Sequence, residues 1–309
     1  MSSIFLITVI IVSLIFTISI KLLFIKSKSF DHINSRSIHK TKATKSGGIS
    51  VFITLFIFSF YFYLNHIDLF DFSLLVPLGI MFIVGVYDDF YNADFKLKFF
   101  LQIIVAKILI DQGLIIDNFY GVLGLNEIPR LAGQIFTIFV FLIIVNAINF
   151  IDGIDGLAIS EFIKVILLIE FLSIESTPFF SLGILTILSL LPLYYFNFKK
   201  DYKVFLGDAG SLFLGTLIAI YLFNFLGEDF VLKPHYRVNK PLLSMALIAY
   251  PLVDLLRVFI IRVYNRRSPF NPDQNHIHHL LIKKGLNHIS AVGIIQTISL
   301  SILYLIFYI

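Results

Sequence analysis

Residues 134–158 read QIFTIFVFLIIVNAINFIDGIDGLA, an apolar run that ends in polar side chains placed three residues apart. The polar side chains are Asn146, Asn149, Asp152 and Asp155. Steps of three residues keep neighbours in the row on one face of an α-helix, and a tighter 3₁₀ turn would align all of them. The glycines of D-G-I-D-G allow the helix to end and the backbone to approach a ligand. A capped turn between two helices is the plain alternative, but two Asn and two Asp exceed what a cap requires. The row therefore favours a functional site at the end of a helix.

The composition indicates an integral membrane protein. Of the 309 residues, 58% are hydrophobic and 14% are charged, whereas soluble domains are about 45–50% apolar and about 25% charged. There is no cysteine, which excludes disulfides, thiol catalysis and Cys-ligated metals. No long basic tract interleaves with aromatic residues, so nucleic acid is not an expected partner.

A spanning helix needs about 20 mostly apolar residues, and the chain predicts about ten of them. The candidate segments are 3–25, 48–64, 69–87, 98–116, 133–151, 157–174, 178–197, 210–226, 240–264 and 289–309. The first one lacks a basic start and a cleavage site, so we expect a retained helix rather than a signal peptide. No soluble domain fits between the segments, which predicts an all-α fold and a single polytopic domain, 1–309. The sequence has no internal repeat, which disfavours an inverted-repeat transporter.

Basic residues in the loops predict the orientation. They concentrate in the odd-numbered connections: Lys26, Lys28, Arg36, Lys40, Lys42 and Lys45 in the first loop, Lys199, Lys200 and Lys203 before the eighth segment, and Arg266, Arg267, Lys283 and Lys284 before the tenth. The even connections are poorer in basic residues, except for a mixed one before the ninth segment. We therefore expect the odd connections to be cytoplasmic and both termini to be outside. All the polar motifs fall in odd connections, which predicts a site in cytoplasmic loops.

The motif VYDDF supplies Asp88 and Asp89, and Lys98 follows ten residues after Asp88. Adjacent helical residues point about 100° apart, but at a helix end both carboxylates can reach one aqueous pocket. Two acids at a helix C-terminus are unfavourable with the helix dipole, which argues mildly against a merely solvated terminus. Lys98 can bind a phosphate, although a snorkelling lysine is the plainer interpretation.

The motif FLGDAGS places Asp208 between two glycines at the start of the eighth segment. Helix capping alone explains an aspartate there fairly well. A helix N-terminus with glycines is also an anion site, and a carboxylate beside it can hold Mg²⁺ on a diphosphate. The G-K-[ST] of a Walker loop is missing.

The motif NHIHH supplies His276, His278 and His279, shortly after Arg266 and Arg267. Without cysteines or a closed ligand shell, zinc is disfavoured, and the cluster better suits a phosphate or sugar pocket. Elsewhere the plain interpretations prevail: we expect Lys107 to snorkel or to pair, and Asp254 and Arg257 to form an ion pair within the membrane.

Carboxylates and amides for a hard cation, with Lys, Arg and His for phosphates, indicate phosphoryl transfer. Five stretches, in order, resemble the polyprenyl-phosphate N-acetylhexosamine-1-phosphate transferases: SIHKTKATKSGGIS, VGVYDDFYNADFKLK, NAINFIDGIDGLA, VFLGDAGSLFLG and SPFNPDQNHIHHLLIKKG. The last is similar to the histidine motif of the branch that primes O-antigen, teichoic acid and capsule synthesis. The peptidoglycan branch usually has three consecutive histidines, which Ile277 interrupts here.

The resemblance implies a multi-pass enzyme of the bacterial cytoplasmic membrane. It would transfer the sugar 1-phosphate of a UDP-N-acetylhexosamine, GlcNAc by default, to undecaprenyl phosphate and release UMP. The cofactor implied is Mg²⁺, with Mn²⁺ as a substitute, and a homodimer is left open. The resemblance implies that Asp208 and Asn149 bind Mg²⁺ and that Lys98 binds the diphosphate. It places Phe205 and Asp155 in contact with uracil, and Asp88 and Asp89 beside the lipid phosphate or the metal. The residues implied to contact the sugar or its phosphate are His276, His278, His279, Arg266 and Arg267. Asn146 and Asp152 are expected in the substrate site or as supports of its turn.

Several alternatives stay open at this stage. The donor can be UDP-MurNAc-pentapeptide, as in peptidoglycan synthesis. A transporter would use Asp254, Arg257 and Lys107 as a charge relay, and a non-catalytic lipid-binding paralogue is a third possibility. The acceptor phosphate has a second pKa of about 6 and is largely dianionic at neutral pH, so we expect direct in-line displacement. A covalent phospho-Asp88 is the competing mechanism.

Overall fold

The computed structural model describes residues 3–31, 42–236, 238–268 and 275–307. The predicted basic positions Arg36 and Lys40 and the first part of the histidine motif, residues 269–274, lie outside these ranges. The helices are α1 (Ser3–Lys26), α2 (Gly47–Leu64), α3 (Leu75–Tyr91), α4 (Phe95–Asp111), α5 (Arg130–Ile151), α6 (Leu157–Leu172), α7 (Phe180–Asn197), α8 (Gly207–Leu226), α9 (Lys240–Leu247), α10 (Ala249–Tyr264), α11 (Ile277–Lys283) and α12 (His288–Ile306). Two strands of two residues each, β1 (Ala43–Thr44) and β2 (Lys203–Val204), pair in parallel. The all-α membrane fold predicted from composition is confirmed.

Every predicted apolar segment is helical, but the helices differ in their ability to cross a bilayer. Within the described residues, seven helices are long and apolar enough, and an eighth span results if α9 and α10 count as one. That pair is bent by 74°, where a single helix over 240–264 was predicted. The helices α4 and α6 have only 17 and 16 residues, below the usual length of about 20.

The chain divides into two compact units. The first comprises Met1–Ala93 and Pro178–Phe213, in which α1 packs on α2 and α7. Glycines bring backbones together here: a Cβ on Gly48 would lie 2.2 Å from the backbone nitrogen of Gly210, and one on Gly85 would lie 2.3 Å from the carbonyl oxygen of Asp208. Larger residues at these positions would push α2 and α3 away from the first turn of α8.

The second unit comprises Asp94–Thr177 and Leu214–Ile309. In it α5 packs on α4 and α10, and α12 packs on α6, α9, α10 and α11. A Cβ on Gly215 would lie 3.0 Å from Cα of Val145, so a glycine permits close packing of α8 on α5.

Two charged residues of α6 form a buried network with α12. Glu161 is fully buried and pairs with Lys164 at 2.7 Å. The ammonium of Lys164 also donates to the hydroxyl of Ser299, and the amide of Gln296 donates to Glu161 at 3.0 Å. Since a charge in the membrane is costly without partners, this network fixes α12 against α6.

Candidate active site

The carboxylate of Asp89, in the last turn of α3, caps the start of α8. Its two oxygens accept hydrogen bonds from the backbone N–H groups of Asp208 and Ala209, at 3.1 and 3.0 Å. These are two of the N–H groups that a helix start leaves without an intrahelical partner, and a negative charge there is favoured by the helix dipole. The cap function suggested for Asp208 thus belongs to Asp89, whose carboxylate is the anion at this helix start.

Lys45 completes the environment of the Asp89 carboxylate. Its ammonium lies 3.5 Å from an oxygen of Asp89 and 3.5 Å from one of Asp31. Burial disfavours the charged ammonium, but the carboxylates of Asp89, Asp31 and Asp208 outweigh this effect and raise the pKa of Lys45. Lys45 is therefore a fixed positive charge beside this cluster.

The carboxylate of Asp88 contacts its own turn, whereas that of Asp89 caps α8. One of its oxygens accepts a hydrogen bond from the backbone N–H of Ala93 at 2.7 Å, which closes the turn after α3. Asn92, in that turn, is left-handed with φ 52°. The sequence allowed both aspartates to reach one pocket, whereas the structure gives each carboxylate different partners.

Asp208 lies in the first turn of α8, directly after Gly207. Gly207 has φ 74°, and a Cβ on it would lie 2.7 Å from a carboxylate oxygen of Asp89. The glycine is thus required both by the backbone and by the space that the cap occupies. Phe205, predicted to stack on uracil, is held through its backbone by Thr44 and Gly47 at 2.8 and 3.0 Å.

The row of polar residues at the end of α5 is divided between different partners. Asn146 donates to the side chain of Gln102 at 2.9 Å and to the carbonyl of Leu142 at 2.7 Å, so it holds α5 to α4. Asn149 is half-buried in the last turn of the helix, and Asp152 follows directly after the helix end. The row therefore does not act as one uniform face.

Asp155 is buried and pairs with His288, the first residue of α12. The Nδ1 atom of His288 lies 2.8 Å from a carboxylate oxygen of Asp155 and 3.0 Å from its backbone nitrogen. The ring nitrogen of His288 is thus in contact with both the side chain and the backbone of Asp155. Gly156, at φ 78°, directly precedes α6.

The three histidines are organised by α10. The carboxylate of Asp254 lies 2.7 Å from Nδ1 of His276 and accepts the backbone N–H of Ile277 at 2.8 Å. Arg257 is farther from it, at 3.6 Å. The predicted ion pair of Asp254 and Arg257 exists, but the closer partners of the carboxylate are the start of the histidine motif.

His278 is fully buried beside Gly153. A Cβ on Gly153 would lie 2.6 Å from Nε2 of His278 and 2.7 Å from Cε1 of His279. Burial, and after it the neighbouring His279 and His276, lower the pKa of His278 well below its ordinary value. The ring of His278 is therefore neutral at physiological pH.

The remaining predicted residues lie at helix ends. Lys98 is half-buried in the first turn of α4, a helix capped by Asp94. Arg266 and Arg267 are exposed directly after α10, and Arg266 has φ 54°. Their roles stay predictions.

The donor set can be compared with the needs of Mg²⁺. Within the described residues, no group of three His, Asp or Glu side chains could hold a metal by itself. Mg²⁺ usually takes one or two carboxylates and fills its shell with water and substrate phosphates. A carboxylate such as Asp208, which capping does not require, fits an ion that arrives with a diphosphate.

Sequence reasoning missed four residues of these clusters: Lys45, Tyr250, His288 and, as a partner of the histidines, Asp254. Lys45 was counted only as a loop charge, and His288 lies three residues beyond the end of the histidine motif. Tyr250 and Asp254 are four residues apart on α10, a spacing that places both on one helix face.

Comparisons with known proteins identify the family of the chain. Residues 71–225 match the family model of glycosyl transferase family 4. A probable undecaprenyl-phosphate N-acetylglucosaminyl 1-phosphate transferase of Bacillus subtilis is 30% identical over 292 residues, which cover 92% of this chain and 78% of that protein. The undecaprenyl-phosphate alpha-N-acetylglucosaminyl 1-phosphate transferases of Haemophilus influenzae and Salmonella typhi are 32% and 30% identical, over 87% and 95% of this chain and 76% and 78% of theirs.

Proposed function

Since this chain belongs to glycosyl transferase family 4, we propose that it transfers N-acetylglucosamine 1-phosphate from UDP-N-acetylglucosamine to undecaprenyl phosphate. An oxygen of the lipid phosphate attacks the phosphorus that carries the sugar. The bond between that phosphorus and the bridging oxygen of the diphosphate breaks, and UMP leaves with the electron pair. The products are undecaprenyl-diphosphate-N-acetylglucosamine and UMP.

The observation that carries the proposal is the capping of α8 by Asp89, next to the carboxylate of Asp208. Asp89 satisfies the first N–H groups of α8, so the carboxylate of Asp208 is not needed as a cap and can serve as a Mg²⁺ ligand. A bound Mg²⁺ would neutralise the diphosphate and stabilise the departing UMP. Asn149 as a second ligand, Lys98 as a diphosphate contact and the cytoplasmic location of the reaction are parts of the same proposal.

We assign hydrogen bonds to the sugar phosphate to the histidine cluster. Asp254 holds the ring of His276 and the backbone at the start of α11 in place. Asp155 and His288 contact each other next to the start of α6, where the resemblance predicts the uridine. We assign the positioning of the lipid phosphate to Asp88, whose carboxylate is fixed by the turn after α3.

The experiment is UMP release by the purified protein in lipid, with UDP-N-acetylglucosamine, undecaprenyl phosphate and Mg²⁺. UDP-N-acetylgalactosamine and UDP-MurNAc-pentapeptide serve as competing donors. Asp208→Asn should lose activity, and Asp201→Asn, which changes an exposed carboxylate nearby, should not. Absence of UMP release with every donor would refute the proposal, and release with the pentapeptide alone would assign the chain to peptidoglycan synthesis.

A second experiment separates direct displacement from a covalent intermediate. The protein is incubated with UDP-N-acetylglucosamine labelled in the sugar phosphate, without the lipid. We expect no labelled protein, because the dianionic lipid phosphate is itself the nucleophile. Trapped label that Asp88→Asn abolishes would establish the phospho-enzyme route.

A further inference from the structure

The hydroxyl of Tyr250, on α10, makes the closest polar contact of the buried His278 ring. The phenolic oxygen lies 3.0 Å from Nδ1 of His278. A carboxylate oxygen of Asp254 lies 3.9 Å from Nδ1, beyond hydrogen-bond distance. The hydroxyl of Tyr250 is therefore the group that can determine whether Nδ1 donates or accepts a hydrogen bond.

The other nitrogen of the ring, Nε2, has no hydrogen-bond partner among the residues that the structure describes. His278 is 0% exposed, and a buried polar atom left without a partner costs about 1–3 kcal/mol. Such an atom in a native protein calls for an explanation. The space beside it exists because residue 153 is a glycine, whose Cβ would have lain 2.6 Å from Nε2.

We propose that Tyr250 is a positioning residue that keeps the proton of neutral His278 on Nε2, ready to donate to an oxygen of the nucleotide sugar. A neutral imidazole has one donor and one acceptor nitrogen. In the proposed arrangement the hydroxyl of Tyr250 donates to Nδ1, which acts as the acceptor, and the ring proton lies on Nε2. This inference rests on the proposed function, because it assigns the recipient of the hydrogen bond to the substrate of that reaction.

The arrangement explains why a tyrosine stands at this position of α10. With phenylalanine the ring of residue 250 could still pack, but the two tautomers of His278 would no longer be distinguished. The form with the proton on Nδ1 would then present an acceptor lone pair to a substrate oxygen, and this contact is repulsive. Asp254 has a different task, since it holds His276 and the backbone of Ile277.

The first test is spectroscopic and does not require activity. The protein is labelled with ¹⁵N in its histidine rings, and His278→Gln identifies the resonances of His278 among the eight histidines. We expect the shifts of a neutral ring protonated on Nε2, and a mixture of tautomers in Tyr250→Phe. A ring protonated on Nδ1 in the unchanged protein, or the same tautomer in both proteins, would overturn the proposal.

The second test is a double-mutant cycle on UMP release. Tyr250→Phe should lower kcat/KM about five- to tenfold, the effect of one hydrogen bond of about 1–1.4 kcal/mol. Gln at position 278 carries an amide N–H near the place of Nε2 whatever residue 250 is. In the His278→Gln background, Tyr250→Phe should therefore change kcat/KM less than about twofold. His278→Asn, whose shorter amide does not reach that place, should be less active than His278→Gln.

Tyr120→Phe is the matched control, because its hydroxyl donates to the carbonyl of Leu226 at 2.7 Å in the same unit. It removes the hydrogen bonds of this hydroxyl with Leu226 and Lys240 but no contact of a histidine, so kcat/KM should not change. Equal losses on Tyr250→Phe in both backgrounds would show that the tyrosine only supports packing. Absence of UMP release in the unchanged protein would refute the proposed function and leave the tautomer measurement standing.

Discussion

Asp89→Asn tests whether Asp89 holds the start of α8 or acts on the substrate. The carboxylate is 3% exposed and accepts two backbone N–H groups. An asparagine has one oxygen, so its amide group must face one of these N–H donors, and a buried donor left unsatisfied costs about 1–3 kcal/mol. Loss of the negative charge from the helix start removes about 0.3–1 kcal/mol more. The substitution should therefore destabilise the protein by about 1.5–4 kcal/mol.

The assay is thermal unfolding of the detergent-solubilised protein together with UMP release. A loss of 1 kcal/mol lowers Tm by about 2–4 °C in domains of 150–250 residues, so Tm of Asp89→Asn should fall by about 3–16 °C. Asp208→Asn is the comparison: it should retain Tm within about 2 °C while UMP release falls at least about a hundredfold. If Asp89→Asn kept its Tm and Asp208→Asn lost it, the capping assignment would be refuted.

Three further predictions concern neighbouring residues. Asn149→Ala should reduce UMP release at least about tenfold more than Asn146→Ala, while Asn146→Ala should cost about 1 kcal/mol of stability through its lost hydrogen bonds; equal activity losses would mean that the row is a single scaffold. Lys45→Gln should change stability by less than about 1 kcal/mol because Lys45 is 33% exposed. Folding raises the pKa of Lys45 from 10.5, so the contribution of Lys45 to stability is complete below pH 10.5 and is lost only as the pH rises through the folded-state pKa. The difference in Tm between Lys45→Gln and the unchanged protein should therefore be constant from about pH 6 to 9, and a difference that varies over this range would contradict the prediction. Gly153→Ala should lower UMP release about tenfold because its Cβ would displace the histidine rings, whereas Gly293→Ala, with nothing within 4 Å of its Cβ, should not.

The sequence located the helices because an apolar run is a direct consequence of the bilayer. It could not locate the bend between α9 and α10, since the residues around Ile248 are as apolar as their neighbours. It placed Asp208 at the start of the eighth segment, and the helix begins at Gly207. It could not identify Asp89 as the cap, because Asp89 lies 119 residues away from Asp208 and no local pattern indicates a cap from another helix.

For the candidate site, the sequence identified the polar residues but not the hydrogen-bond partners of each. Asn146 and Asn149 occupy equivalent steps in the motif, yet Asn146 is bound to Gln102, 44 residues earlier. The aspartates 88 and 89 are adjacent, yet one closes its own turn and the other caps α8. These divisions depend on long-range packing, so spacing alone cannot predict them.

Buried polar side chains within a membrane protein can hold helices together or can serve a reaction, and their partners help to distinguish the two roles. Where water is absent, hydrogen bonds between side chains hold helices together, as those of Glu161 and Lys164 with the side chains of α12 do. A transporter would need the charges of Lys107, Asp254 and Arg257 as a relay. Lys107 instead pairs with Asp111 on its own helix, and Asp254 is bound to the histidine motif. The charges that a relay requires are thus already engaged, whereas Nε2 of His278 is among the buried polar atoms that have no hydrogen-bond partner in the part of the chain that the structure describes.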